Sequence, residues 1–185
     1  MTNPFLTPAI ARQAIDLTLP MIEAAMEKQV AMRKALHITV FLPASSLLGI
    51  DFATSTLIPP VAILAEHSIG RELWPAMNRD FEKFARSKAM VALRTGLNTE
   101  TVAARPWLFV PGEFLYQGGV NHQGIIVGVS GVQGELDHSF AMAVATQCAA
   151  LSQLAFKEYL SKATDPHQWF APANFDFAAL PKPAK

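Results

Sequence analysis

The first part of the chain has the hydrophobic spacing of an amphipathic helix. Over residues 7–36, apolar side chains recur mostly every three or four positions, and charged residues fall on the other face. Thr7 followed by Pro8 is typical of a helix start, with the threonine as N-cap. Pro20 lies inside this segment and has no amide hydrogen to donate, so we expect it to kink or split the helix.

The pattern then becomes typical of β-strands. Residues 37–42 are rich in β-branched and aromatic side chains and end at Pro43, which predicts a strand. We expect residues 47–52 to form the return strand of a hairpin. A short helix is predicted over residues 61–68, after two consecutive prolines.

A second amphipathic helix is predicted in the middle of the chain. It begins at Asn78 or Asp80 and runs to about Thr95, where Gly96 ends it. A short helical turn follows and has to end near Pro106, because the residue before a proline disfavours helical backbone angles.

Residues 107–133 combine β-forming residues with turn residues. We expect a strand over residues 107–110 and a hairpin over residues 120–133, whose second strand is central and tightly packed. Glycines recur along this hairpin, which predicts close approach of another backbone or of a ligand. They are Gly124, Gly128 and Gly131.

The C-terminal part contains a long predicted helix and a tail of different composition. The helix spans about residues 136–161 and has acidic residues at its start, as the helix dipole favours. Its apolar stripe comprises Phe140, Val144, Cys148, Leu151 and Ala155. Residues 162–185 hold four prolines and four aromatic residues, so we expect this extension to pack on the domain or on a partner subunit.

The overall composition is that of a folded domain. Of the 185 residues, 51% are hydrophobic and only 16% are charged, which is the reverse of a disordered chain. We expect a single domain over residues 1–161. A surface with so few charges favours a homo-oligomer, because large exposed apolar patches are a liability on a monomer.

The charge and the cysteine content exclude several classes of partner. Fifteen basic residues balance fifteen acidic ones, so the clustered positive charge that nucleic-acid binding requires is absent. Neither a signal peptide nor a membrane span of about 18 apolar residues is expected. The single cysteine, Cys148, excludes a disulfide framework within the chain and fits a reducing compartment, so we expect a cytoplasmic protein.

The sequence contains no familiar cofactor motif. None of the five histidines has the i, i+4 spacing of a helical metal pair, so no metal site is expected. Phosphate loops, dinucleotide fingerprints and nucleophile elbows are also absent. A single axial haem ligand needs no spacing, so haem stays open as the alternative to a site without a cofactor.

The turn formed by Gly118, Gly119 and Val120 is the most informative short motif. Glycine permits positive φ angles and close approach of the main chain, and the amides of such a turn can hold a carboxylate. The other interpretation is a hairpin turn that binds nothing. We predict that these three residues form the edge of a small-molecule pocket.

Three groups that can move protons flank this turn. Glu113 and Tyr116 precede it, and His122 follows it. An enzyme without a metal needs such groups for general acid–base catalysis, so all three are candidate catalytic residues. Because alternate residues of a strand point to opposite faces, at most two of them are expected to converge.

Basic residues on the second predicted helix are candidates for binding a substrate. Lys88 and Arg94 either hold a substrate carboxylate or pair with an acid of the protein itself. For the neighbouring Arg86 the structural interpretation is favoured.

The region 114–149 resembles the GlcG/HbpS family, which also occurs as the C-terminal domain of PduO-type proteins. The resemblance lies in the double-glycine turn, the strand that ends in Gly-Val-Ser-Gly at residues 128–131, and the alanine-rich helix after it. Weaker matches are Ala-Arg-Ser-Lys-Ala at residues 85–89 and the strand and turn at residues 38–48. Together they cover roughly residues 8–155.

This resemblance implies an α/β (α+β) fold with a central, mostly antiparallel sheet flanked by helices, assembled as an oligomer. Some members bind haem, and others are associated with haem degradation or with corrinoids. A divergent branch is associated with the catabolism of aromatic acids and includes 4-hydroxylaminobenzoate lyase.

The chain departs from the family pattern in three places. Residues 43–47 replace a turn that holds aspartate, glycine and histidine in the family, about residues 53–78 form an insertion, and the extension after residue 161 is additional. The insertion and the extension would form either a lid over an apolar pocket or a subunit interface. We therefore expect a lyase-type enzyme without a cofactor, acting on a small aromatic acid such as a hydroxylaminobenzoate. The alternative is a non-catalytic protein that binds haem or another tetrapyrrole.

Overall fold

The computed structural model describes residues 5–43 and 61–162, and the structural statements below refer to these residues. The helices are α1 (Pro8–Glu27), α2 (Trp74–Met77), α3 (Phe81–Thr95), α4 (Thr99–Ala103) and α5 (Gly134–Lys162). The strands are β1 (Leu36–Pro43), β2 (Val61–Ile69), β3 (Gly119–His122) and β4 (Ile125–Ser130). The predicted return strand at residues 47–52 and the tail after residue 162 lie outside the described residues.

The four strands form one antiparallel sheet in the order β2-β1-β4-β3. This confirms the predicted α+β class with a central antiparallel sheet flanked by helices. It also confirms that the second strand of the glycine-rich hairpin is central, because β4 lies between β1 and β3.

Alternation along the strands gives the sheet two differently packed faces. Leu36, Ile38 and Val40 of β1 point into the main core, which α1 and α5 cover. The intervening His37 and Phe41 point to the face on which α3 packs. The two faces of the sheet are therefore covered by different helices, α1 and α5 on one side and α3 on the other.

The first helix begins as predicted but ends earlier. The Thr7 hydroxyl accepts a hydrogen bond from the Ile10 amide at 3.3 Å, which confirms the N-cap. The helix continues through the exposed Pro20, so of the two predicted effects, a kink or a split, the split does not occur. It ends at Glu27 rather than near residue 36, because the chain turns at Gln29, whose φ is 56°.

Two local predictions in the middle of the chain are wrong. Residues 61–68 form strand β2 and not a helix, because pairing with β1 along its whole length determines their conformation. Residues 107–110 form no strand: Pro106–Leu108 is a 3₁₀ turn, and an irregular loop follows it. This stretch lies between two prolines, which restrict the backbone and donate no ladder hydrogen bonds.

The second predicted helix is confirmed as α3, including both ends. The Asp80 carboxylate accepts a hydrogen bond from the Lys83 amide at 2.9 Å, and Gly96 ends the helix with φ of 70°. The short helix after it is also confirmed, as α4. On the sheet, a Cβ at Gly128 would overlap the Ala85 carbonyl oxygen, so this glycine lets α3 lie against β4.

The long C-terminal helix is confirmed as α5. Within the described part of the chain it is the one helix long and apolar enough to cross a membrane by length and composition. Its Phe140, Val144 and Cys148 are buried in the core with α1 and the sheet.

Candidate functional site

A pocket of about 280 Å³ lies where the start of α5, the middle of α3 and the segment after β4 meet. Buried polar side chains form its base, aromatic rings form one wall, and exposed basic residues stand at its mouth. The lining residues are Met32, Arg33, Arg79, Phe81, Phe84, Lys88, Phe114, Tyr116, Ser130, Gly131, Val132, Gln133, Gly134 and Asp137.

The base of the pocket is an ion pair that is almost completely buried. Lys88 is 1% exposed and Asp137 is 2% exposed. The Lys88 Nζ donates to Asp137 Oδ2 at 2.7 Å and to the Val129 carbonyl at 3.1 Å. The other carboxylate oxygen, Asp137 Oδ1, accepts a hydrogen bond from the Val132 amide at 3.1 Å. We call these two residues the Lys88–Asp137 pair.

The local sequence explains how a lysine comes to be buried here. Lys88 lies on the inner face of α3 beside alanines, Ala85 and Ala89, whose small side chains let the helix approach the sheet. Gly118 has φ of 118°, and a Cβ there would lie 2.8 Å from Asp137 Cβ and 3.1 Å from Lys88 Nζ. The glycine therefore leaves the space that the pair occupies.

Burial shifts the pKa values of the two partners toward each other. Loss of hydration lowers the pKa of Lys88 and raises that of Asp137, although each charge opposes the shift of the other. The ammonium–carboxylate form and the amine–carboxylic acid form differ by one proton moved along the 2.7 Å hydrogen bond. Burial reduces the free-energy difference between these two forms, so the pair can both accept and release a proton.

An aromatic wall stands beside the pair. The rings of Phe84 and Phe114 are stacked with centroids 4.2 Å apart, and Tyr116 lies 5.1 Å from Phe114 at a tilt. The Lys88 Nζ lies 6.0 Å from the Phe114 ring centroid. This wall offers a flat apolar surface on which a further ring can stack.

The mouth of the pocket carries an excess of positive charge. Arg33 and Arg79 line it, are exposed, and form no ion pair with any residue in 5–43 or 61–162. The Lys88–Asp137 pair is neutral as a whole wherever its proton lies. The two arginines therefore give the pocket a positive potential that favours an anionic ligand.

The structure brings some of the predicted site residues together. Lys88 and Tyr116 both line the pocket. Gly118 contacts the Lys88–Asp137 pair, and Gly119 packs against the Lys88 backbone, so the double-glycine turn does border the site. Val120 points away from it into the main core.

Three other predicted residues do not line this pocket. Arg94 donates to both oxygens of Glu113, at 2.7 and 2.6 Å, so these two satisfy each other on the surface of α3. Burial by itself raises the pKa of Glu113, but hydrogen bonds from Arg94 and the Val110 amide hold it below its ordinary value. His122 is half-buried at the end of β3.

Sequence reasoning missed the residue that completes the site. Asp137 was interpreted only as an acid in the first turn of a helix, and its partner Lys88 is 49 positions away. The aromatic wall was missed because Phe84 and Phe114 lie on separate segments. The one local signal was the lysine itself, a charged residue among alanines on the buried side of a helix.

Two of the four described histidines have protein partners away from the pocket. The buried His37 bonds Ser68 Oγ through Nδ1 at 2.9 Å and Glu66 through Nε2 at 3.2 Å. His138 pairs with Glu100 at 3.3 Å. No group of three or more potential metal ligands occurs within the described ranges.

Comparison with known proteins gives no assignment for this chain. No protein-family model matches it, and no curated protein matches it either.

Proposed function

We propose that the protein is a lyase-type enzyme, acting without a cofactor on a small aromatic acid such as a hydroxylaminobenzoate, in the catabolism of aromatic compounds. The observation that carries this proposal is the Lys88–Asp137 pair at the base of an aromatic-walled pocket. The substrate class comes from the resemblance of the region 114–149 to the GlcG/HbpS family.

The pair supplies the proton transfers that release of ammonia requires. Conversion of a hydroxylaminobenzoate and one water to a dihydroxybenzoate and ammonia removes protons from the water and the ring carbon and delivers protons to the leaving nitrogen, so each exchange removes one proton and delivers a second. In its neutral form, the Lys88 amine accepts the first proton while the Asp137 carboxylic acid donates the second. The pair then returns to its starting state by moving one proton along its own hydrogen bond. Tyr116, the predicted catalytic residue that lines the pocket, is a further donor near the mouth.

The size of the pocket suits one substituted ring. A cavity of about 150 Å³ is enough to hold benzene. The 280 Å³ here leave room for a ring with two small substituents beside the Phe84–Phe114 stack. The aromatic stack and the start of α5 flank the base of the pocket, and this apolar surface strengthens the electrostatic influence of the pair on a bound substrate.

Haem, the alternative ligand, fits this pocket poorly. A tetrapyrrole is several times larger than a benzene ring, and the described lining contains no histidine. Met32 and Tyr116 are the lining residues of types that ligate haem iron, and both are largely exposed at the mouth. Titration with hemin is expected to give no stoichiometric change in the Soret band. A saturable change lost in Tyr116→Phe would favour the haem-binding alternative.

We also propose that the enzyme is a cytoplasmic homo-oligomer. In support, exposed apolar residues such as Trp107 and Leu115 lie on the segment that leads to the pocket wall, and Cys148 is buried without a disulfide partner. Light scattering after size-exclusion chromatography tests the assembly, and a strictly monomeric protein would contradict it.

Turnover of hydroxylaminobenzoate isomers tests the proposed activity directly. The wild-type protein is expected to release ammonia from at least one isomer, and Lys88→Met to lower the rate about 10²–10⁴-fold. The matched control is Lys83→Met on the exposed face of the same helix, which should retain the wild-type rate. Absence of release from every isomer, or full activity in a folded Lys88→Met variant, would overturn the proposal.

A further inference from the structure

We infer that Arg33 and Arg79 bind the acidic group of the ligand at the mouth of the pocket, while its ring lies along the aromatic wall. This inference rests on the proposed function for the choice of a ring acid as ligand. It assigns the recognition of the acid to two residues that the sequence patterns did not single out.

Three of the groups expected to hold a carboxylate already have partners. Lys88 is neutralised by Asp137 at 2.7 Å, and Arg94 is bound by Glu113. The Gly119 amide donates to the Thr99 hydroxyl at 2.9 Å. A substrate carboxylate at any of these places would have to displace an existing bond.

The base of the pocket is also unfavourable for an anion. Asp137 lies there with its side chain buried, and burial raises its pKa because its negative charge is poorly hydrated. A second negative charge beside it would be repelled while the carboxylate is ionised. The acidic group of a ligand therefore lies at the exposed end, where Arg33 and Arg79 supply two positive charges.

The backbone around both arginines is anchored. The Gln133 side chain accepts a hydrogen bond from the Met32 amide and donates one to the Val30 carbonyl, each at 3.0 Å, which fixes the segment that carries Arg33. Before Arg79, Asn78 has the left-handed φ of 50° and ends α2 with its amide bonded to the Pro75 carbonyl at 3.1 Å. Anchored backbones lower the entropy lost when the two guanidinium groups bind an anion.

Equilibrium binding of benzoate and of benzamide tests the assignment, because these probes share a ring and differ in charge. We expect benzoate to bind at least about tenfold more tightly than benzamide at low salt, since guanidinium–carboxylate bonds are charge-assisted. Arg33→Gln and Arg79→Gln should each weaken benzoate binding about three- to tenfold and leave benzamide binding unchanged. Arg105→Gln, at an exposed arginine outside the pocket lining, is the matched control and should change neither.

Three outcomes would overturn the inference. The first is equal affinity of the wild type for benzoate and benzamide. The second is an equal loss of affinity for both probes in the arginine variants, and the third is no benzoate binding at about 10 mM. Neither probe needs to react, so this result is independent of turnover. Charge-selective binding without ammonia release would retain the arginine assignment and reject the lyase. Ammonia release at an unchanged KM in the double arginine variant would retain the lyase and reject the arginine assignment.

Discussion

Helix α3 carries one cation of each of two ion pairs, and the pKa values of the two carboxyl groups are shifted in opposite directions. One is the Lys88–Asp137 pair, and the other is the His37 network, which consists of His37, Glu66, Ser68 and Arg86. Burial raises the pKa of Asp137. Burial acts on Glu66 in the same direction, but hydrogen bonds from Arg86 and His37 prevail and lower its pKa to about 2.

The difference lies in the hydration of the two cations. Arg86 is partly exposed and offers Glu66 two short bonds, at 2.8 and 2.6 Å, so the charged form is held in a wet, bidentate pair. Lys88 and Asp137 are both nearly inaccessible, so their attraction is offset by the loss of hydration. In this protein, water still reaches the Arg86–Glu66 pair, which we call the wet pair, and Glu66 stays ionised there. The Lys88–Asp137 pair, which we call the dry pair, is the one whose pKa values burial shifts toward each other.

Breaking the dry pair is expected to have the largest effect on stability. Lys88→Met leaves the Asp137 carboxyl group buried without its partner and should lower the free energy of unfolding by about 3–5 kcal/mol. The double variant Lys88→Met/Asp137→Leu should recover most of this loss, because no charge remains buried. Urea denaturation measures both. A double variant as unstable as the single one would show that packing, and not charge, dominates at this position.

Filling the space next to the dry pair should have the second largest effect. Gly118→Ala places a methyl group against the Val129 carbonyl and Asp137 Cβ at a left-handed φ, and should cost about 2–3 kcal/mol. Gly112→Ala is the control, because its φ is also positive, at 92°, but nothing lies within 4 Å. It should cost about 1 kcal/mol. Thermal unfolding of both variants measures the difference in stability. Equal losses of stability would show that the contacts of the added methyl group at Gly118 cost nothing.

Removing the charge of the wet pair should have a moderate, pH-dependent effect. Glu66→Gln is expected to cost about 1–2 kcal/mol at neutral pH. Because the pKa of Glu66 falls from 4.5 to about 2 on folding, its ionised form stabilises the protein above pH 4.5. This contribution is lost as the pH falls toward 2, so the wild type and the variant should converge there. Glu72→Gln, at an exposed glutamate, should show no such convergence, and a constant difference would contradict the linkage.

Breaking the surface pair of Arg94 and Glu113 is expected to have the smallest effect on stability. The pair is bidentate and lies near the surface, so Glu113→Gln should cost about 0.5–1 kcal/mol. The same variant decides the role predicted for Glu113 from the sequence. If Glu113→Gln abolishes turnover while most of the protein stays folded, Glu113 is a catalytic residue. If turnover is retained, Glu113 is only a structural partner for Arg94.

The parts of the fold that were predictable depend on local signals. Helix α3 has a capping aspartate at one end and a glycine at the other, so its limits can be read from neighbouring residues. The hairpin of β3 and β4 turns at Gln123 and Gly124, both with positive φ, in a stretch already rich in turn residues.

The parts that were missed depend on distant partners. Strand β2 has an apolar pattern that suits a helix as well, and only its pairing with β1 decides between them. Likewise, Lys88 is conspicuous in the sequence, but no spacing connects it to Asp137. For the candidate site, the glycine turn and the lysine were predictable, whereas the aromatic stack and the arginines required the fold.

The strand order has a consequence for how the protein is made. Strand β1 pairs with β4, which is nearly 90 residues later in the chain, and Gln133 bonds Met32 across 101 positions. Contacts at such separations form late, because closing long loops costs entropy before the contacts stabilise anything. During synthesis on the ribosome, the edge of β1 that pairs with β4 therefore stays unpaired until residues 125–130 have emerged. An unpaired strand edge can pair with other chains, so aggregation is most favoured during that interval.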